Sequence, residues 1–411
     1  MTKPKIVAFV EPSFYGVSFA RAAFQQGCTV ISIVSSVDNP RTYGYEGIYH
    51  DLIVADIRDE ESVYEAIRGS AYFGKLDALI PATDYASHLT AKVAERLGLR
   101  SVPYEAALKS RNKDLAREAY EAFGVPSAKY RKVRTYEEAE AAAREIGYPI
   151  VLKPTNCASS QNVYFISGQD ELKEAMAIIS DFKVTYMDFK VREEYLVEEY
   201  LEGQEFSVEI FLENSEPSFA VVTEKITSPL PYFVEVAHTL PTSVHTDKQA
   251  EIIDTAVSAL RAIGITDGPS HVEVKLSEQG PRIIEVNGRP GGDNISSDLL
   301  VQALGVDFFE ATVHYYLAEP VNVHASRSRA AAIAYLLAEK DGTVASVKGL
   351  EHLQPGDAIV RSHISVQQGD QISVAKSSDD RLGYVITVAD TPQEAKQAAL
   401  DLISKVELVY Q

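Results

Sequence analysis

His271-Val272-Glu273-Val274-Lys275-Leu276, then Ser277-Glu278-Gln279-Gly280-Pro281, then Arg282-Ile283-Ile284-Glu285-Val286-Asn287 is the stretch on which the reading turns. Period-two alternation places Val272, Val274 and Leu276 on one face and His271, Glu273 and Lys275 on the other. With the five intervening residues as the loop, Leu276 opposes Arg282 and Glu273 opposes Glu285, their Cβ atoms about 5 Å apart. Asn287 lies on the face of Glu285, roughly 7 Å further along. Two opposed carboxylates repel, so a cation is expected between them, and Glu/Glu/Asn oxygens are hard ligands suited to Mg²⁺ or Mn²⁺. The competing interpretation is an exposed hairpin whose charges face water.

Working outward, Pro149-Ile150-Val151-Leu152-Lys153-Pro154 ends an apolar strand on a lysine, with Pro154 stopping the ladder. Thr155-Asn156-Cys157-Ala158-Ser159-Ser160-Gln161-Asn162 follows, small and polar, able to turn backbone N–H groups toward phosphate or to form an ordinary turn. Ser110-Arg111-Asn112-Lys113 begins a helix closed by Gly124. A first-turn lysine opposes the helix dipole unless an anion shares that end; a solvated lysine is the alternative. Tyr195–Gly203 is an apolar stretch ending in acidic residues, and alternation resumes at Glu205. Backbone groups at such a strand end can meet a base edge, and Glu205 can take ribose hydroxyls, although a solvated acidic edge reads the same way.

Residues 5–110 alternate strand and helix: Ile6–Val10, a helix from Ser18, Thr29–Val34, Leu76–Ile80 and a helix over Ser87–Leu97, which predicts a parallel α/β domain. The first turn, Glu11-Pro12-Ser13-Phe14-Tyr15-Gly16, is not GxGxxG, so no dinucleotide site is expected there. A helix over about 135–146 stops at Gly147. Residues 194–320 are richer in strands, and the tail has strands near 330–337 and 383–389 and a helix from Pro392 to about Lys405.

The 411 residues are 45% hydrophobic, enough for two or three domains. Lys and Arg total 39 against 59 Asp and Glu, a formal charge of −20, which argues against nucleic acid and anionic membrane as partners. The two cysteines, Cys28 and Cys157, make no disulfide scaffold. The start lacks the apolar length of a signal peptide and no run approaches a membrane span, so a cytoplasmic protein is expected.

The ordered set Lys113, Lys153, small-residue loop, Glu198-Glu199-Tyr200-Leu201, Glu205, Glu273, Glu285-Val286-Asn287-Gly288-Arg289 resembles the ATP-grasp superfamily over about 105–320. The resemblance implies an α/β (α+β) chain: a parallel pre-ATP-grasp domain (1–110), a two-lobed ATP-grasp domain (111–320, lid about 125–200) and a C-terminal α+β lobe (321–411). It implies ATP and Mg²⁺ (or Mn²⁺) as cofactors. Lys113 and Lys153 would hold the phosphates and Ser159, Ser160 and Gln161 would close over them. Glu198, Glu199 and Leu201 would flank adenine, and Glu205 would bind ribose. Glu273, Glu285 and Asn287 would hold the metal, and Arg289, with Lys153, would meet the charge developing during transfer. The loop often has Gly where this chain has Asn162, a residue that tolerates positive φ.

Within the superfamily the chain resembles dipeptide-forming L-amino-acid ligases of the bacilysin type, through Lys153-Pro154 with Ala158-Ser159-Ser160 and through Glu235-Val236-Ala237-His238-Thr239-Leu240-Pro241. That likeness would place Glu235, His238, Arg289, Gly292 and Asp293 near a bound amino acid, with Glu235 and His238 as candidate bases. Asp293 stands where the bacilysin-type enzyme has a bulky aromatic, implying a larger or more acidic pocket; it also reads as an N-cap for a helix near Ile295. The implied reaction is ATP-dependent amide formation between a carboxylate and an amine through an acyl-phosphate. A bicarbonate- or purine-pathway ligase and a non-catalytic ATP-binding module remain alternatives. Amino acids are the expected partners, and homodimer assembly is left open.

Overall fold

The computed structural model describes residues 3–185 and 187–411. The N-terminal sheet holds β1 (Ile6–Val10), β2 (Thr29–Val34), β3 (Asp51–Val54) and β4 (Ala78–Pro81), all parallel, in the order β3-β2-β1-β4. β1 is completely buried, as strands covered on both faces must be. The short, half-exposed β3 carries too little apolar sequence to have been foreseen. The order reverses between β1 and β4, so the loops after these two strands open toward one crevice, at the carboxyl end of the sheet.

A second sheet, β5 (Tyr130–Val133), β6 (Ile150–Pro154), β7 (Tyr164–Ile166) and β8 (Tyr195–Glu199), is antiparallel in the order β5-β8-β6-β7. The helix Tyr136–Ile146 packs on it, started by the Thr135 side chain, which accepts from the Glu138 N–H.

The largest sheet has eight strands, built from β9 (Gln204–Glu213), β10 (Glu216–Thr227), β11 (Glu235–Leu240), β12 (Gly268–Ser277), β13 (Gly280–Asn287) and β14 (Ala330–Leu336), with β16 (Ile359–Ile364) and β18 (Gly383–Ala389), in the order β13-β12-β9-β10-β11-β14-β18-β16. The tail beyond residue 320 therefore shares this sheet with the central region. β15 (Gly342–Lys348), β17 (Gln371–Ile372) and β19 (Glu407–Tyr410) form a small separate sheet, and the helix Pro392–Ile403 covers β14 and β18.

The deciding hairpin forms with a different register at its tip. Only Glu278 and Gln279 turn, Ser277 pairs with Gly280, and Leu276 opposes Pro281 rather than Arg282. Glu273 still opposes Glu285, because Ile284 bulges out between Ile283 and Glu285 and restores the register. Of the expected apolar face, Val272 and Val274 are fully buried, with Ile283 and Val286, against the helices Lys113–Phe123 and Thr246–Ile263, and Leu276 is partly buried. Each such valine contributes about 1.5–3 kcal/mol of burial. Among the described residues no helix is long and apolar enough to cross a membrane.

Candidate active site

The charged face of the hairpin does not face water. His271 and Lys275 are buried, and Glu273, Glu285 and Asn287 line a cavity of about 1060 Å³ whose walls also carry Lys113, Lys153, Ser159, Ser160, Gln161, Glu198, Glu199, Leu201, Glu205 and Arg289. Every residue expected around nucleotide and metal is thus on one cavity wall. A second cavity, about 1520 Å³, holds Glu235, His238, Gly292 and Asp293. Asp84, Ala158, Ser159, Glu235, Glu273 and Arg289 line both.

Lys113 is the first residue of its helix, its N–H donating to the Thr155 carbonyl at 2.8 Å. Ser110 belongs to a preceding helix, Tyr104–Arg111, and Asn112 joins the two. The Lys113 ammonium meets Glu285 Oε1 at 3.0 Å and the Cys157 carbonyl at 2.7 Å. Lys153 leaves β6 toward Glu198, 2.6 Å away. Arg117, a helix residue that the sequence did not single out, grips the same carboxylate at 2.7 and 3.2 Å and donates to the Ile284 carbonyl at the bulge. Burial opposes ionisation of Glu198, but Arg117 and Lys153 together hold its pKa below the usual carboxylate range. Burial likewise pushes Lys153 below its ordinary value. The Glu198 side chain thus fixes Lys153, while Glu199 turns the other way to Arg282 at 2.8 Å.

Glu273 and Glu285 are met by separate cations. Lys113 serves Glu285, while Lys225, 4% exposed on β10, stands 3.4 Å from Glu273, 3.0 Å from Glu205 and 3.4 Å from Glu235. Burial would neutralise Lys225, yet these three carboxylates raise its pKa well above the ordinary value. His271 lies between Glu209 (2.6 Å) and Glu273 (3.5 Å). Despite burial, Glu209 raises its pKa to about 9, so it is cationic at neutral pH. Glu209 also accepts from the Gly291 N–H at 3.1 Å; a Cβ on Gly291 would meet that carboxylate at 2.6 Å, so only glycine brings the backbone this close.

Among the described residues no group of three or more His, Cys, Asp or Glu side chains forms a metal cage. The candidate set is two facing carboxylates and one amide, in the cavity that Lys113 and Lys153 also line. That donor chemistry fits Mg²⁺ or Mn²⁺, which take few protein oxygens and complete their shell with water and phosphate.

Ser159, Ser160 and Asn162 all have positive φ (56°, 55° and 55°), so Asn162 adopts the conformation for which glycine is the usual choice. Arg289 is held by Asp84 from the loop after β4, at 2.6 and 2.7 Å, and stacks over Tyr15 from the loop after β1. Both partners come from the N-terminal crevice.

The helix-cap reading of Asp293 is overturned. Asp293 sits at φ 52°, the segment from Ile295 is preceded by Asn294, and no side chain caps it. The Asp293 carboxylate is instead gripped by Arg381 at 2.6 and 2.9 Å, with His238 Nε2 at 3.4 Å. Arg381, 88 residues away, offsets the negative charge, so this wall is not simply more acidic. His238 is buried, and desolvation lowers its pKa. Glu235 is half-buried; desolvation, only partly countered by Lys225, raises its pKa to about 7.

Residues 146–298 match the ATP-grasp domain, and residues 334–411 match the L-amino acid ligase C-terminal domain 2. The chain is 30% identical over 284 residues to the uncharacterized protein y4rH of Sinorhizobium fredii, covering 69% of this chain and 58% of that protein. It is 30% identical over 253 residues to the alanine–anticapsin ligase of Bacillus subtilis, covering 58% and 53%. The chain thus spans little more than half the length of these curated relatives. The crystal structure of an L-amino acid ligase from Bacillus licheniformis superposes with a TM-score of 0.83 at 20% identity, covering 100% of both chains, which shows a shared fold.

Proposed function

Because this chain carries an ATP-grasp domain followed by an L-amino acid ligase C-terminal domain, we propose that it joins the carboxylate of an L-amino acid to the amine of a second one, with cleavage of ATP to ADP and phosphate. The observation that carries this reading is the pair of cavities sharing Glu273, Arg289, Glu235 and Ser159 as a common wall. A nucleotide on one side and an amino acid on the other would meet there.

Lys113 and Lys153 position the phosphates, and the Ser159–Gln161 backbone covers them. Glu205 takes the ribose, and the backbone at Glu199 and Leu201 meets adenine. Glu273, Glu285 and Asn287 would hold a divalent ion, which would supply charge neutralisation at the transferring phosphoryl group. Arg289, fixed by Asp84, lies where charge builds on the phosphoryl and later on the acyl oxygen. A substrate carboxylate oxygen attacks the γ-phosphorus and ADP leaves. The amine nitrogen then attacks the acyl-phosphate carbonyl, the C–O bond breaks, and phosphate leaves with its electrons. Of the two candidate bases, Glu235 is favoured to take the amine proton, since its pKa of about 7 makes it a competent base near neutrality. His238 faces Asp293 and acts on orientation.

The test is a phosphate-release screen over pairs of amino acids with product masses measured. Release that needs two amino acids and yields their sum less water supports the proposal. Release that needs bicarbonate, or nucleotide binding without release for any pair, overturns it.

A further inference from the structure

The tail sends one turn, residues 377–381, back to the junction of the two cavities. Its shape is fixed internally: the Asp380 carboxylate accepts from the N–H groups of Lys376 and Ser377, both at 2.9 Å, closing a capping box. Arg381 anchors it. The guanidinium donates to the Ser378 carbonyl at 2.7 Å, pairs with Asp293 and lies 3.9 Å over the Tyr335 ring. From this anchor the turn reaches two ways. Ser378 Oγ donates to Glu235, and on the other side Gln161 Nε2 donates to Asp379 Oδ2 at 2.8 Å, while the Ser378 N–H faces the Ser159 carbonyl at 3.4 Å.

The phosphate-side loop needs such a partner. Three of its residues are non-glycine with positive φ, a conformation that persists only where the surroundings hold it. The bonds from the 377–381 turn are outside contacts of that kind, and they come from the element that also touches the candidate base and the acceptor wall.

We propose that the 377–381 turn is a latch in which Asp379 holds the Ser159–Gln161 loop closed over the cavity junction, so that an acyl-phosphate formed there is shielded from water until the amine attacks. Asp379 and Arg381 are positioning residues, and neither needs to touch the reacting atoms. The shielding consequence rests on the ligase reading; the latch itself does not.

The chain contains its own reporter. Cys157 sits in the loop at 4% exposed, and Cys28, 6% exposed in the N-terminal core, is an internal control. Iodoacetamide labelling of the full chain with Mg·ADP, followed by peptide mass mapping, reads both rates. Asp379→Ala should label Cys157 several-fold faster with Cys28 unchanged. Asp379→Asn, whose carboxamide oxygen still accepts from Gln161, should restore the slow rate. In turnover with a productive amino-acid pair, Asp379→Ala should release several phosphates per amide where the parent releases about one. An unchanged Cys157 rate, or both cysteines accelerating together, overturns the latch. A wild-type phosphate-to-amide ratio in Asp379→Ala overturns the shielding role. Selective Cys157 labelling in a protein that joins no pair supports the latch and removes the ligase reading instead.

Discussion

Asp84 and Arg289 are bound through two hydrogen bonds, 2.6 and 2.7 Å, across a sequence separation of 205 residues. Burial opposes ionisation of both, yet each holds the other charged: Arg289 lowers the Asp84 pKa, and Asp84 raises that of Arg289. A guanidinium fixed by a fork of this kind loses little freedom when a ligand arrives. The N-terminal domain thereby orients a residue of the ATP-grasp domain.

Removing that hold should damage turnover more than nucleotide affinity. Asp84→Ala frees Arg289 to move by an ångström or more, and misplacement of that size costs about 100-fold. We expect kcat to fall by that order while the Kd for ATP, measured by calorimetry, changes little. A large loss of ATP affinity with kcat intact would place Arg289 in binding alone.

Glu285→Gln tests the metal face. The substitution keeps shape and the approach of Lys113 but removes one anionic oxygen from the proposed metal set. Turnover should drop by about 100-fold or more, with the thermal midpoint nearly unchanged. Near-normal activity in saturating Mg²⁺ would take Glu285 out of the ion's shell.

Arg117→Met addresses the buried charge group behind the lysines. Glu198 is 3% and Arg117 2% exposed, so removing the arginine leaves a desolvated carboxylate with Lys153 as its remaining ionic partner. Breaking such a pair costs about 3–5 kcal/mol, readable as a lower urea midpoint. Unchanged stability would mean that Lys153 alone compensates Glu198.

The hairpin was legible because alternation is local: the side of a strand on which Glu273 or Glu285 lies follows from counting by two. The bulge at Ile284 was not, since an extra isoleucine looks like any other strand residue. Lys153 and the polar loop were legible from a strand ended by proline. Arg117, Lys225, Glu209 and Asp84 carry no local mark; each becomes informative only when another element, tens to hundreds of residues away, brings its counter-charge. Asp293 shows the same limit from the other side. Its position before Ile295 fits a cap, but Arg381 binds the carboxylate and the left-handed backbone turns it from the helix. The tail strands were readable singly, whereas their membership of the large sheet depends on β11 pairing with β14.

Glu235 gives a pH dependence with two readouts. Its pKa, raised to about 7 by burial, means that the basic form grows in as pH rises through 7. If Glu235 takes the amine proton, the rate with a non-limiting ATP supply should climb about tenfold per pH unit below 7 and level above it. Glu235→Gln should lower the plateau and erase that limb. Stability moves the opposite way. The ordinary glutamate value of 4.5 describes the unfolded chain. Between pH 4.5 and 7 the folded protein therefore holds a proton that the unfolded chain has released, and folding stability falls with rising pH. Urea midpoints of the parent should decline relative to Glu235→Gln across that window and run parallel above pH 7. A parent that runs parallel to the variant between pH 4.5 and 7 and loses stability relative to it only below that window would show Glu235 held ionised by Lys225, and the proton acceptor would have to be sought elsewhere on the shared wall.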